Sequence, residues 1–96
     1  MDNTNNPRDY GEVLESMMSR VRELQSKHDT MQPDFLQQTR FINAKIMFYH
    51  ATTEANIYHN MSKFITMPEP FLQSVFKVKI NDAENSLVKM KDALKN

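Results

Sequence analysis

Glycine occurs only once in this chain, at Gly11, and this scarcity constrains the fold more than any other property of the sequence. β-Hairpins and the tight loops of α/β domains usually need glycine where the backbone adopts a positive φ angle. Methionine, by contrast, occurs 8 times in 96 residues, and methionine favours helices. Both observations predict an all-α protein whose helices are joined by few, short connections.

Prolines divide the chain into three segments. Pro33 interrupts helical periodicity once, and Pro68 with Pro70 interrupts it again, because proline cannot continue a helix and restricts the residue before it. A chain of this length forms one small domain. We expect a flexible polar tail at 1–8 and a single helical domain at 9–96, with helices at about 9–30, 33–65 and 68–95.

Apolar residues recur in the first and third segments with spacings of four and three, which is the 3.5-residue seam of a coiled coil. The first seam holds Tyr10, Leu14, Met17, Val21, Leu24, His28 and Met31, and the other holds Phe76, Ile80, Ala83, Leu87, Met90 and Leu94. Residues 75–80 also alternate like a strand, but a lone strand would have no partner, so helix is preferred. These patterns predict an elongated three-helix bundle or helical hairpin with coiled-coil-like packing and a long central helix.

The second segment is long for so small a chain. A continuous helix of roughly 33 residues would measure about 49 Å, against a diameter of roughly 32 Å for a compact globule of this size. Either the molecule is elongated, or the helix breaks, most plausibly at the β-branched pair Thr52 and Thr53. The sequence leaves both alternatives open.

The central helix carries apolar residues on two sides when projected at 100° per residue. The first arc contains Ile42, Ile46, Tyr49, Ile57 and Phe64. The second arc contains Phe41, Ala44, Met47, Phe48, Ala51, Ala55, Tyr58 and Ile65. A surface helix of a monomer normally shows one apolar stripe. Either the other two helices cover both arcs, or one arc is left for another chain.

We favour the second explanation and assign partner binding to the second arc. The predicted partner-binding residues are Phe41, Met47, Phe48, Ala51, Ala55, Tyr58 and Ile65. The predicted function is a non-enzymatic protein–protein interaction module, as an adaptor, small chaperone or assembly subunit. Its partner would be another protein or a second copy, with a homodimer preferred. The abundant methionines suit an adaptable apolar surface.

Catalytic and metal-binding chemistry finds little support in the sequence. His50 and His59 are nine positions apart and so fall on opposite sides of a helix, whereas His50 and Glu54 offer two ligands without a third. The chain has no cysteine, its carboxylates are scattered, and one glycine cannot build a phosphate loop. We therefore expect no enzyme activity, no cofactor, no metal and no small-molecule substrate.

The charge balance argues against general nucleic-acid binding and against an electrostatic membrane anchor, because 12 basic residues match 12 acidic ones. A helical dimer that binds nucleic acid through its third helix stays open as an alternative. That helix carries Lys77, Lys79, Lys89, Lys91 and Lys95. The absence of cysteine, of a signal peptide and of a membrane span predicts a cytoplasmic protein without membrane contact.

Residues 32–65 (QPDFLQQTRFINAKIMFYHATTEANIYHNMSKFI) resemble the helical part of type III secretion needle and inner-rod subunits. Those proteins have a proline-bearing turn followed by one long C-terminal helix. The resemblance covers about a third of the chain and implies an assembly subunit. This chain departs from the pattern because residues 67–96 add a further helix, which fits a small helical secretion chaperone better.

Overall fold

Three helices make up the computed structural model, which describes residues 7–61 and 69–95. They are α1 (Pro7–Met31), α2 (Phe35–Met61) and α3 (Glu69–Ala93), and the described residues contain no strand. The molecule measures 48 × 25 × 16 Å, with a radius of gyration of 15.1 Å. A compact chain of this size would have a radius of gyration of about 12.5 Å. The prediction of an elongated all-α bundle is therefore confirmed.

Two local questions that the sequence left open are settled by the helices. α2 runs without interruption through Thr52 and Thr53. Residues 75–80 are helical, as preferred. The predicted extension of the central helix to 65 lies outside the described residues.

The connection between α1 and α2 places the start of α2 later than predicted. Gln32, directly after α1, has a φ of 54°, the left-handed conformation that commonly ends helices. The Gln37 N–H donates to Asp34 Oδ1 at 2.8 Å, and the Asp34 N–H donates to Gln37 Oε1 at 3.0 Å. This reciprocal capping box makes Asp34 the N-cap. Pro33 therefore lies before the helix, and the predicted start at 33 is corrected to Phe35.

The C-terminal end of α3 is also shorter than predicted. The N–H groups of Leu94 and Lys95 donate to the carbonyls of Lys91 and Asp92, at 3.1 Å in both cases. Hydrogen bonds that span three residues tighten the last turn and end the regular helix. The helix therefore ends at Ala93 and not at Lys95.

The core lies mainly between α2 and α3, which approach each other more closely than either approaches α1. Small residues permit this approach: Ala44, Ala51 and Ala55 are buried on α2, and Ala83 and Ala93 on α3. Most of the predicted seam of α3 is buried, including Phe76, Leu87, Met90 and Leu94. On α1 the seam residues Met17 and Val21 are buried, while Leu14, Leu24, His28 and Met31 are half-buried. The finer prediction of coiled-coil packing stays a prediction.

Polar contacts join α1 to the other two helices at its exposed edges. Arg20 Nη1 on α1 donates to Glu84 Oε1 on α3 at 2.8 Å. Lys45 Nζ on α2 donates to Gln25 Oε1 on α1. Such exposed pairs contribute little energy, so the buried apolar seams hold the bundle together. A search of the described helices finds no segment with the length and hydropathy of a membrane span.

Candidate interaction surface

The second arc of α2, which we assigned to a partner, lies for the most part in the chain's own core. Phe41 and Phe48 are 1% and 0% exposed, and Ala51 and Ala55 are also buried. They pack against the apolar seams of the other two helices. These four side chains are therefore inaccessible to another chain, and their assignment as surface residues is corrected.

The other three members of the assigned set have different surroundings. Met47 is exposed and Tyr58 is half-buried, while Ile65 lies outside the described residues. Met47 borders an open groove of about 420 Å³ between α2 and α3, which Ile46 and Ala51 also line. The α3 side of this groove is lined by Asp82, Asn85, Ser86 and Lys89. Binding by Met47 and Tyr58 stays a prediction.

The opposite side of α2 presents an exposed, uncharged strip that we call the outer stripe. It consists of Phe35, Thr39, Ile42, Ile46, Tyr49, Thr53 and Ile57, all of them exposed. Ile46, at its centre, is 61% exposed. The Thr39 hydroxyl donates to the Phe35 carbonyl at 2.9 Å, so this polar group is satisfied within the helix. The stripe follows the helix for about 33 Å at 1.5 Å per residue.

Four members of the outer stripe belong to the first arc of the sequence projection: Ile42, Ile46, Tyr49 and Ile57. The fifth member of that arc, Phe64, lies outside the described residues. The projection thus located both arcs but did not identify which one the chain covers itself. Residue size could have identified the covered arc, since three alanines in the second arc permit close helix packing whereas the first arc has none.

Charge distinguishes the outer stripe from the exposed faces of the other helices. α2 contains three charged residues in 27, Arg40, Lys45 and Glu54, and none of them lies on the stripe. α1 and α3 contain nine and eight charged residues in 25 each. Isolated apolar residues on a surface are common, whereas a contiguous row of large uncharged ones is typical of interaction sites. α3 also exposes three large apolar residues, Phe71, Val78 and Val88, but smaller polar residues separate them, whereas the stripe on α2 holds five large residues.

The charged groups at the edges of α2 are directed toward the neighbouring helices. Glu54 Oε2 accepts a hydrogen bond from Lys79 Nζ at 2.9 Å, and Glu54 Oε1 lies 2.8 Å from His50 Nδ1. The hydrogen bond from Lys79 lowers the pKa of Glu54, and the same bond raises the pKa of Lys79. On the other edge, Lys45 bonds to Gln25 of α1. Both side chains are thus engaged within the same chain, and Lys45 Nζ also lies 6.0 Å from the centroid of the Tyr49 ring, at the edge of the stripe.

The histidines are not brought together. His50 pairs with Glu54, whereas the His59 ring lies 6.5 Å from Phe76 in an edge-to-face arrangement. His28 stacks on Phe41 with ring centroids 4.5 Å apart. Its Nδ1 lies 3.1 Å from Asp29 Oδ1, a contact that lowers the pKa of Asp29. Within residues 7–61 and 69–95, no three His, Cys, Asp or Glu side chains are placed to share a metal ion.

The lysines of α3 do not form one continuous basic face. Lys79 is paired with Glu54, and Lys95 is paired with Asp92 at 3.1 Å. Lys77, Lys89 and Lys91 are exposed, and acidic residues on the same helix lie among them. No observation in the described residues favours the nucleic-acid alternative, which stays a prediction.

Comparison with known proteins gives no further guidance: no family model, no curated protein and no solved structure matches this chain. The resemblance of residues 32–65 to secretion needle and inner-rod subunits therefore stays a prediction. The function has to be argued from the chemistry of the outer stripe.

Proposed function

We propose that this protein is a non-enzymatic interaction module that binds another protein chain through the outer stripe of α2. One observation carries the proposal, which is the exposed, uncharged row of large side chains along α2. Adaptors, small chaperones and assembly subunits all require such a surface. We place this function in the cytoplasm, because a chain without cysteine suits a reducing compartment.

The composition of the outer stripe supports the proposal. Phe35 and Tyr49 are aromatic residues of the kind that is enriched in protein interfaces, and Ile42, Ile46 and Ile57 supply aliphatic contact area. Charged residues, which are depleted from the centres of interfaces, are absent from the stripe. Anchors spaced by three and four residues also match the way in which one helix packs against another.

A photo-cross-linker placed in the stripe tests the proposal. Benzoylphenylalanine replaces Ile46 in one variant and Val88 in a matched control, since Val88 is 54% exposed on α3 and has Lys91 and Asp92 within one helical turn. Both variants are made in the cells that naturally produce the protein and are irradiated there. We expect a protein adduct from the variant at position 46 and little or none from the control at 88.

The test compares the yield of protein adducts at position 46 with the yield at position 88. An adduct that contains any protein chain, formed at 46 at least about tenfold more than at 88, supports the proposed function. Equal yields at the two positions, or no adduct at either, would contradict it. Circular dichroism of both purified variants establishes that the helices are intact.

A further inference from the structure

We infer that the outer stripe fits a second copy of this chain, packed antiparallel with a two-fold axis near Ile46. This inference rests on the proposed function and names the partner of the same surface. In a two-fold interface the same patch of both copies is in contact. When the helices are antiparallel, a residue before the axis faces the residue that lies equally far after the axis on the other copy, so these two residues must be compatible.

The order of residues along the stripe meets that requirement. Thr39 and Thr53 lie seven positions on either side of Ile46, and Phe35 and Ile57 lie eleven positions on either side. Ile42 and Tyr49 lie four positions before and three positions after it. A second α2 turned about an axis near Ile46 therefore places threonine opposite threonine and large side chains opposite large side chains. The two threonines leave less bulk between the large residues, so facing helices can interdigitate there.

Charge favours a second copy over a charged partner. No residue of the stripe is charged. Lys45, whose Nζ lies 6.0 Å from the centroid of the Tyr49 ring, is bonded to Gln25 of the same chain, and Glu54 is bonded to Lys79. A partner helix with charges on its contact face would have to bury them against isoleucine and phenylalanine without a counter-charge, which is costly. The outer stripe of a second copy satisfies the requirement for an uncharged helical face.

The size of the stripe sets the expected strength of the dimer. A strip of about 33 Å by about 10 Å projects roughly 330 Å² from each copy. A standard stable interface buries about 800 Å² on each partner, and smaller interfaces belong to weak, transient complexes. We therefore expect a reversible dimer that forms over the micromolar concentration range.

Thiol cross-linking on the purified full-length chain tests this arrangement, because the chain has no native cysteine. Each variant carries one introduced thiol, Ile46→Cys or the control Val88→Cys, and is treated with a short bis-maleimide. Near the two-fold axis the two introduced thiols meet, so Ile46→Cys should form covalent dimers at least about tenfold faster than Val88→Cys at roughly 50 μM protein. Dilution should reduce the rate for Ile46→Cys because the dimer dissociates.

A second pair of variants tests the orientation. Phe35→Cys and Ile57→Cys, mixed in equal amounts, should form mixed dimers faster than either forms dimers alone, since only an antiparallel pair brings these ends together. Equal rates at positions 46 and 88 would overturn the inference of a second copy. Faster linking within each single variant than in the mixture would overturn the antiparallel arrangement. If the photo-cross-linked partner in cells is a different protein and position 46 shows no self-linking, the proposed function stands and this inference fails.

Discussion

At the scale of single residues, Phe48 and Ile46 lie two positions apart in α2 and have opposite surroundings. Phe48 is 0% exposed, whereas Ile46 is 61% exposed. Truncating a buried phenylalanine leaves a cavity, so Phe48→Ala should lower the free energy of unfolding by about 3–5 kcal/mol. Ile46→Ala should change it by less than about 0.5 kcal/mol, because most of the Ile46 side chain is exposed to solvent. Urea denaturation measured at low protein concentration gives both values, and similar losses for the two variants would contradict this description of α2.

His28 combines an apolar position with a polar ring. The ring stacks on Phe41, and its Nε2 atom is inaccessible to solvent and forms no hydrogen bond with the described residues. His28→Phe keeps the stacking and removes the buried polar atom, so it should raise the free energy of unfolding by about 1 kcal/mol. Thermal or urea unfolding measures the change. A loss of stability would show that the contact of Nδ1 with Asp29 matters more than the buried nitrogen.

At the scale of the helices, the start of α2 depends on the capping box between Asp34 and Gln37. Asp34→Ala removes the acceptor for the Gln37 N–H and should cost about 1 kcal/mol of unfolding free energy. Asp34→Asn is the matched control, since asparagine is an equally good N-cap and should leave stability nearly unchanged. Chemical denaturation of the two variants distinguishes them. An equal loss in both would mean that the carboxylate charge, and not the cap, stabilises this end of the helix.

The ion pair between Glu54 and Lys79 joins α2 to α3 and makes stability depend on pH. Hydrogen bonding to Lys79 holds the pKa of Glu54 below its ordinary 4.5, so this contribution is fully present above pH 4.5 and is lost as the pH falls further. The same bond raises the pKa of Lys79 above 10.5, so its contribution is present below pH 10.5 and is lost as the pH rises. Glu54→Gln should therefore flatten the fall in unfolding free energy below pH 4.5. Some slope should remain, because the pKa of Asp29 is also lowered.

Denaturant titrations of the wild type and Glu54→Gln across this pH range measure the two slopes. Lys79→Met is the complementary variant and should flatten the acid slope in the same way. Unchanged slopes in both variants would mean that solvent screens the pair completely.

The limits of prediction from sequence are clearest in α2. Periodicity assigns each residue an angle about its own helix axis, so the seams of α1 and α3 and both arcs of α2 could be predicted. It does not say which arc meets another helix of the same chain, because that depends on how closely two axes approach. Ala44, Ala51 and Ala55 permit the close approach of α3 and so decide in favour of the second arc. The start of α2 at Phe35 depends on which polar side chain caps the backbone N–H groups. Periodicity does not identify that residue within one turn of the helix.

At the scale of the whole molecule, the geometry of three helices explains why one face of α2 stays exposed. α1 and α3 contact each other as well as α2, so both lie on the same half of its circumference. The opposite half cannot be covered by these two helices, whatever residues it carries. The exposed side of α1 is charged, and that of α3 mixes charged residues with Phe71, Val78 and Val88, whereas that of α2 carries the outer stripe. The bundle therefore leaves its uncharged face available to another chain.

Sedimentation equilibrium of the purified chain over about 5–500 μM tests whether the outer stripe binds a second copy, because such self-association must depend on concentration. The wild type should shift from monomer toward dimer across this range. Ile46→Glu should remain a monomer throughout, while the equally exposed control Val88→Glu should behave like the wild type. Circular dichroism verifies that both variants keep their helices. A wild type that stays monomeric at every concentration, or a dimer that Ile46→Glu leaves intact, would contradict self-association through the outer stripe.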